Sequence, residues 1–294
     1  MIAFERITAD QFGKSVGLVR LGAEDRAHFM ETYIDTALGE LESGLGTGQP
    51  ASNYLDLHCL KCSLLVLVIG VFCVSCARPI DPLPGFPKLV LWAWERPENL
   101  SYINPVSTGV AYLAETVTLT PAGIEYHPRM QPLWVPKQTP LIAVVRIESH
   151  GSSSLMGVAR QIVKAVQGEP IRALQIDFDA RGSERSDYTH FLNQLRQALP
   201  ANIPLEMTAL VSWCQTDDWI GRLPVVDAIP MFFRMGADQH STRESLREPR
   251  CRTGIGISTD EIPNFLAPGK RIFVFTNKPW TEDSYRAILQ MVKP

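Results

Sequence analysis

The run Gln175-Ile-Asp-Phe-Asp-Ala180 sets two carboxylates, Asp177 and Asp179, two residues apart in an apolar stretch. Successive side chains of an extended strand point to opposite faces, so Ile176 and Phe178 share one face while Gln175, Asp177 and Asp179 share the other. Two acids on one face can divide labour, because burial or a neighbouring negative charge raises one pKa while the other group stays ionised. That division suits proton transfer at a glycosidic bond. Asp179, one step further along the strand, is the acid candidate, and Glu148, Glu95 or Glu115 could supply the second carboxylate. The same alternation turns Arg146 and Glu148 to that face, with Thr208 and Ser212 on the next strand and Arg234 after the one following. A competing reading makes Asp177 structural, paired with Arg146 and Arg234, because enclosed charges require partners.

Aromatic residues bear on the same chemistry. Trp92 or Trp94, Trp213, Trp219 and Trp280 lie at or just beyond strand ends, where flat apolar rings can stack on sugars. Trp92, Trp94, Trp213 and Trp280 form with Arg146 and Arg234 the expected substrate-binding set, and the expected ligand is a polysaccharide. Other chemistries lack a pattern. The six histidines are scattered without metal-ligand spacing, and Ser212 and Ser258 have no nucleophile-elbow motif. Gly13-Lys14-Ser15 lacks the upstream glycine of a phosphate loop, so neither metal nor cofactor is expected. A formal charge of -3 with a pI near 6.1 gives no basic field for phosphates, which excludes nucleic acid as an expected partner.

Strands must carry these side chains, and short β-rich apolar runs recur at Lys88–Trp94, Gly109–Ala114, Leu141–Ile147, Ala173–Phe178, Leu205–Val211, Ala228–Phe233, Gly254–Ser258 and Arg271–Phe275. Helical patterns lie between several of them, at Ser154–Gln167, Ser183–Leu199, part of Gly236–Glu248, and Thr281–Val292. Alternating strand and helix implies parallel strands, and eight units imply an α/β chain closed as a (β/α)8 TIM-like barrel over 88–294. Thr118–Thr139 carries Gly123, Pro128, Pro132 and Pro136, so a loop or hairpin is expected in place of the second helix. An open doubly wound sheet is the alternative, but no glycine-rich turn follows the first strand. Cys214 follows the fifth strand and Cys251 precedes the seventh, which predicts opposite barrel ends; export would permit their oxidation, but that geometry disfavours a bridge.

The other four cysteines crowd one stretch. Cys59, Cys62, Cys73 and Cys76 mimic the spacing of a zinc knuckle, but Ser63–Phe72 between the pairs has no charge and no turn-forming polar residue. Lys61 before that run and Val74-Ser75-Cys76 after it resemble a bacterial lipoprotein signal over 60–76, with Cys76 as the lipidated residue and Cys73 where a leucine is usual. Such an anchor implies export and attachment to a membrane of the cell envelope. Residues 77–87, with Pro79, Pro82, Pro84 and Pro87, read as an extended tether. A signal belongs at a chain start, so translation is expected to begin at Leu60, with 1–59 a non-native extension. Phe29, Met30, Tyr33, Ile34, Ala37, Leu38 and Leu41 nevertheless fall at helical spacing. Without residues 1–75 the chain keeps 23 basic against 22 acidic residues and is nearly neutral.

At Leu91-Trp-Ala-Trp-Glu-Arg-Pro-Glu98, Ala173-Leu-Gln-Ile-Asp-Phe-Asp-Ala-Arg181, Ala209-Leu-Val-Ser-Trp-Cys214 and Pro230-Met-Phe-Phe-Arg-Met-Gly236 the chain resembles bacterial domain-of-unknown-function family 3142. The resemblance spans nearly all of Lys88 to Trp280, implies a barrel and leaves the activity undefined. More distantly, Asp177-x-Asp179 resembles the fourth-strand motif of chitinase-like glycoside hydrolases, whose catalytic glutamate would fall at the position of Arg181. The two functions expected are therefore an exported glycoside hydrolase with paired carboxylates, or a lipoprotein that binds glycan or an envelope partner without turnover. Mass spectrometry of the native protein is expected to find a lipidated Cys76 at the N-terminus. Any native peptide from within Ile2–Asp56 rejects initiation at Leu60.

Overall fold

The computed structural model describes residues 4–7, 81–151, 154–234, 246–263 and 270–292. In chain order the strands are β1 (Phe4–Ile7), β2 (Leu89–Ala93), β3 (Glu98–Asn99), β4 (Thr108–Thr120), β5 (Gly123–Pro128), β6 (Leu133–Pro136), β7 (Leu141–Ser149), β8 (Ile171–Asp177), β9 (Leu205–Ala209), β10 (Asp227–Pro230), β11 (Gly254–Ser258) and β12 (Arg271–Phe275). The α-helices are α1 (Val158–Val166), α2 (Arg185–Ala198), α3 (Val211–Gln215) and α4 (Glu282–Met291). The signal segment and Cys76 lie outside the described residues, as does most of 1–59.

Eight strands pair in parallel in the order β10-β9-β8-β7-β4-β2-β12-β11. The ring meets itself between β10 and β11 through a parallel bridge from Met231 to Gly256, beside which the Phe232 N–H donates to the Gly256 carbonyl at 2.8 Å. Any Cβ at Gly256 would lie 2.4 Å from the Met231 sulfur, so a residue without a side chain lets the seam approach. The sheet is thus the barrel that the strand pattern implies. Its strands read as continuous apolar runs because both faces are covered.

Alternation sorts the core into two bodies. Val90, Trp92, Ala111, Ile142, Val144, Ala173, Ile229, Phe273 and Phe275 fill the lumen. The alternate residues, such as Leu91, Val145, Ile176 and Met207, pack outward against the helices. Helix α1 buries Val158, Ala159, Ile162 and Val166, and α2 buries Tyr188, Phe191, Leu192 and Leu195, each a single helical stripe. Thr281 caps α4 by accepting from the Ser284 N–H at 3.1 Å.

The second unit is irregular in the expected place. Strand β4 runs 13 residues, beyond the barrel rim, and returns as β5, its antiparallel partner, where a helix would otherwise pack. Beside it β6 pairs with β3 and β1 in a separate three-stranded sheet. Arg129 ties this region down by donating to the carbonyls of Ala93, Trp94, Arg96 and Gln131.

Two expectations fail here. The tether read over 77–87 is, from Asp81 onward, the floor of the barrel. Leu83 and Phe86 are buried in the lumen core, and any Cβ at Gly109 would lie 2.4 Å from the Phe86 ring. Arg271, 1% exposed, bonds Asp81 Oδ1 and the Leu83 carbonyl, each at 2.9 Å, so the proline-rich segment is clamped rather than extended. Cys214 and Cys251 form a disulfide with Cα atoms 5.9 Å apart. The strand before the first cysteine ends at Ala209, so α3, which carries Cys214, and a short helical turn at Pro249–Cys251 bring the two sulfurs together. The N–H groups of Arg247 and Glu248 reinforce this by donating to the Cys214 carbonyl.

Phe86→Ala is expected to destabilise the domain by about 3–5 kcal/mol, the cost of emptying a large aromatic site in a core. Chemical denaturation measures it, and an unchanged midpoint rejects the floor assignment.

Candidate active site

Lumen-facing side chains at the C-terminal ends of β2, β7, β8, β9, β10 and β12 converge at one end of the barrel, where barrel enzymes carry their chemistry. One half of this mouth is aromatic. Trp94 stacks on Trp92 with ring centroids 6.2 Å apart, and Phe275 meets both edge-on. Phe233 lies parallel to Phe275 at 5.5 Å. Trp92 is buried, and its indole N–H has no partner among the described residues.

The other half is charged. Arg146 on β7 and Asp177 on β8 are register partners, and Asp179 continues the lumen face one step beyond β8. Arg146 lies with its guanidinium 5.1 Å from the Trp94 ring centre and bonds Glu148 Oε1 at 2.8 Å. This pairing redistributes the charges expected from sequence, in which Arg146 and Arg234 neutralise Asp177. Arg234 instead sits exposed, with φ at 51°, and its N–H donates to Glu261 Oε2 at 2.8 Å. Asp177 therefore has no ion pair among the described residues. Its direct partner is the Thr208 hydroxyl, which donates to Oδ1 at 2.9 Å from the neighbouring β9.

Burial pushes the Asp177 carboxyl up to about 6, and the adjacent Asp179 charge adds to the rise. Arg146 and the Thr208 hydrogen bond oppose it, while Glu148 contributes in the raising direction. Asp179 stands exposed at the rim, yet the surrounding wall desolvates its carboxyl and raises its pKa against the pull of Arg146. The deeper acid is thus the one poised near neutrality, reversing the expected order. Strand alternation placed both on one face; their relative depth decided which proton is held more tightly.

Other sequence candidates lie elsewhere. Glu95 follows Trp94 and is exposed, out of phase with the lumen face of β2. Glu115 would face the lumen if β4 were regular, but a bulge between Leu113 and Glu115 sets it opposite Val145, on the outward face. There burial raises its carboxyl to about 7. Trp213 belongs to α3, not to a strand, so it packs outside the barrel edge-on to Trp219 at 5.1 Å and beneath Arg185. Ser212 leaves the lumen series for the same reason. Trp280 is buried outside the lumen and donates its indole N–H to the Trp92 carbonyl at 2.8 Å. The mouth therefore gathers Asp177, Asp179, Glu148, Arg146, Trp92 and Trp94 of the expected residues.

Sequence reasoning did not single out Phe233 and Phe275 as part of the aromatic wall. Lumen parity at the ends of their strands carried the signal. Arg181 and Glu184 are now placed as well. The Glu184 carboxylate accepts from the Arg181 N–H at 2.7 Å, which starts the turn leading into α2.

The model of a domain of unknown function, DUF3142, matches residues 137–238. That span runs from β7 past β10 and contains every charged residue of the mouth named above. It is narrower than the resemblance read over Lys88 to Trp280. Among solved structures the chain is similar to the chitinase domain of the spore coat protein CotE from Clostridium difficile, at 13% identity over 53% of this chain and 52% of that one, with a TM-score of 0.35. It is also similar to the spore cortex-lytic enzyme SleL from Bacillus cereus, at 15% identity over 57% and 50% of the two chains, with a TM-score of 0.40. The chain thus spans about half the length of each. No curated protein matches it.

Carboxyl-detected NMR is expected to titrate Asp177 near 6. Asp179→Asn lowers that midpoint by removing a repelling charge, whereas Thr208→Val raises it by removing a donor to the carboxylate. Because the folded-state value lies above the ordinary 3.8, the fold gains stability as pH falls through 6 toward 3.8, and Asp177→Asn abolishes that increment. Equal midpoints in all three proteins reject this electrostatic arrangement.

Proposed function

We propose that the barrel mouth is a carbohydrate site in which Asp177 donates a proton to a glycosidic oxygen. The observation that carries this reading is the carboxyl of Asp177, free of an ion pair among the described residues and poised near 6 beside a second acid. A general acid works best with a pKa near the working pH, and here burial and Asp179 supply the shift. Thr208 fixes the orientation of the carboxyl. Asp179, nearer solvent and facing Arg146, is the ionised partner that balances positive charge developing on the sugar ring. Glu148, held by Arg146, positions that guanidinium against Trp94. Trp94 and Phe233, both partly buried, offer apolar surface for a sugar ring.

A second reading, glycan binding without turnover, is favoured by one feature. Arg181 occupies the position at which the chitinase-like motif places its glutamate, and Glu184 is engaged in starting a helix. We also infer an exported, lipid-anchored protein through Cys76. The buried Cys214–Cys251 disulfide supports an oxidising compartment.

A hydrolysis screen over cell-envelope and extracellular polysaccharides tests the first reading. Asp177→Asn is expected to lower kcat by about 10²–10⁴-fold on the substrate found, the usual worth of a positioned acid. Glu148→Gln is expected to act mainly on KM. Undiminished turnover in Asp177→Asn rejects the acid role, and saturable glycan binding with no turnover selects the second reading.

A further inference from the structure

Below the mouth lies a second polar layer that the proposed chemistry does not use. Gln175 on β8, Glu206 on β9 and Asp227 on β10 are register partners across three adjacent strands. All three are fully inaccessible. Some of their hydrogen-bonding capacity is met. The Gln175 amide donates to Glu206 Oε2 at 3.4 Å, and Asp227 accepts from the Thr253 hydroxyl and from the Ala228 N–H. Three acceptors remain without a donor among the described residues: Gln175 Oε1, Glu206 Oε1 and Asp227 Oδ2.

The charged groups facing this layer leave the pair uncompensated. Arg271 on β12 directs its donors to Asp81 and to the carbonyls of Leu83 and Pro87 in the floor segment. Lys88 bonds the other oxygen of Asp81. The field of Arg271 reaches both carboxyls, but burial and their mutual repulsion work against two charges. Two ionised carboxylates side by side in a dry core would be costly.

We propose that the barrel floor encloses one water molecule held by Gln175, Glu206 and Asp227, with a single proton retained between the two carboxyls. The hydrogen-bond count closes: the water supplies two O–H donors and the proton a third, matching three open acceptors. A metal ion fits the layer less well, because hard cations take about six to eight oxygens. Among the described residues no group of three or more His, Cys, Asp and Glu side chains could hold one. The retained proton also protects the floor clamp. Once it leaves, a second carboxylate competes with Asp81 for Arg271, so the grip on the Asp81–Pro87 segment weakens as pH rises.

Infrared difference spectra at neutral pH between the wild type and each of Glu206→Gln and Asp227→Asn test the shared proton. A protonated-carboxyl band lost in both variants is the expected result; a band kept in both overturns the proposal. A high-resolution crystal structure of the wild type needs no variant to fold. Density for water within hydrogen-bonding distance of all three oxygens supports the enclosure, while an empty layer, or anomalous scattering from rubidium or manganese soaked into the crystal, overturns it.

Discussion

Closure of a parallel sheet forces every strand residue to one of two fates, and the rest of this molecule depends on that division. An inward side chain must fit a narrow lumen, whereas an outward one meets a helix or the hairpin that replaces it. The lumen is therefore filled from below by Leu83 and Phe86, packed through its middle by aliphatic and aromatic residues, and left polar in two layers. The upper layer opens to solvent and the lower does not.

The two layers treat acidity differently. At the mouth, Asp177 is raised by burial and by Asp179 but remains within reach of a ligand. On the floor, burial raises both Glu206 and Asp227, the Asp227 charge adds to the rise at Glu206, and both residues are 0% exposed. The same physical cause, burial, raises the carboxyls of both layers. Exposure, not residue type, separates the two layers.

Arginine placement explains why Asp177 has no ion pair among the described residues. Arg146 is drawn to Glu148 and to the face of Trp94, which leaves its influence on Asp177 as a field rather than a contact. A direct bidentate pair would hold Asp177 ionised and oppose the rise that burial causes. Arg271 makes the opposite choice on the floor, binding Asp81 and backbone carbonyls so that the segment entering the barrel closes its base.

All eight barrel strands were legible in the sequence, because buried parallel strands leave short apolar runs and the intervening helices leave a different period. The shared face of Asp177 and Asp179 was legible for the same reason, and so was the missing second helix, announced by its glycine and prolines. Tertiary structure decided whatever depends on a break in alternation or on contacts distant in sequence. One bulged residue turned Glu115 outward, a strand ending at Ala209 carried Trp213 into the helix layer and Cys214 to Cys251, and Arg271 turned a presumed tether into a floor. Sequence periodicity fixes which face a residue takes within a regular element. Where the element stops, how deep the residue lies and which charge reaches it are set by packing among segments that only folding brings together.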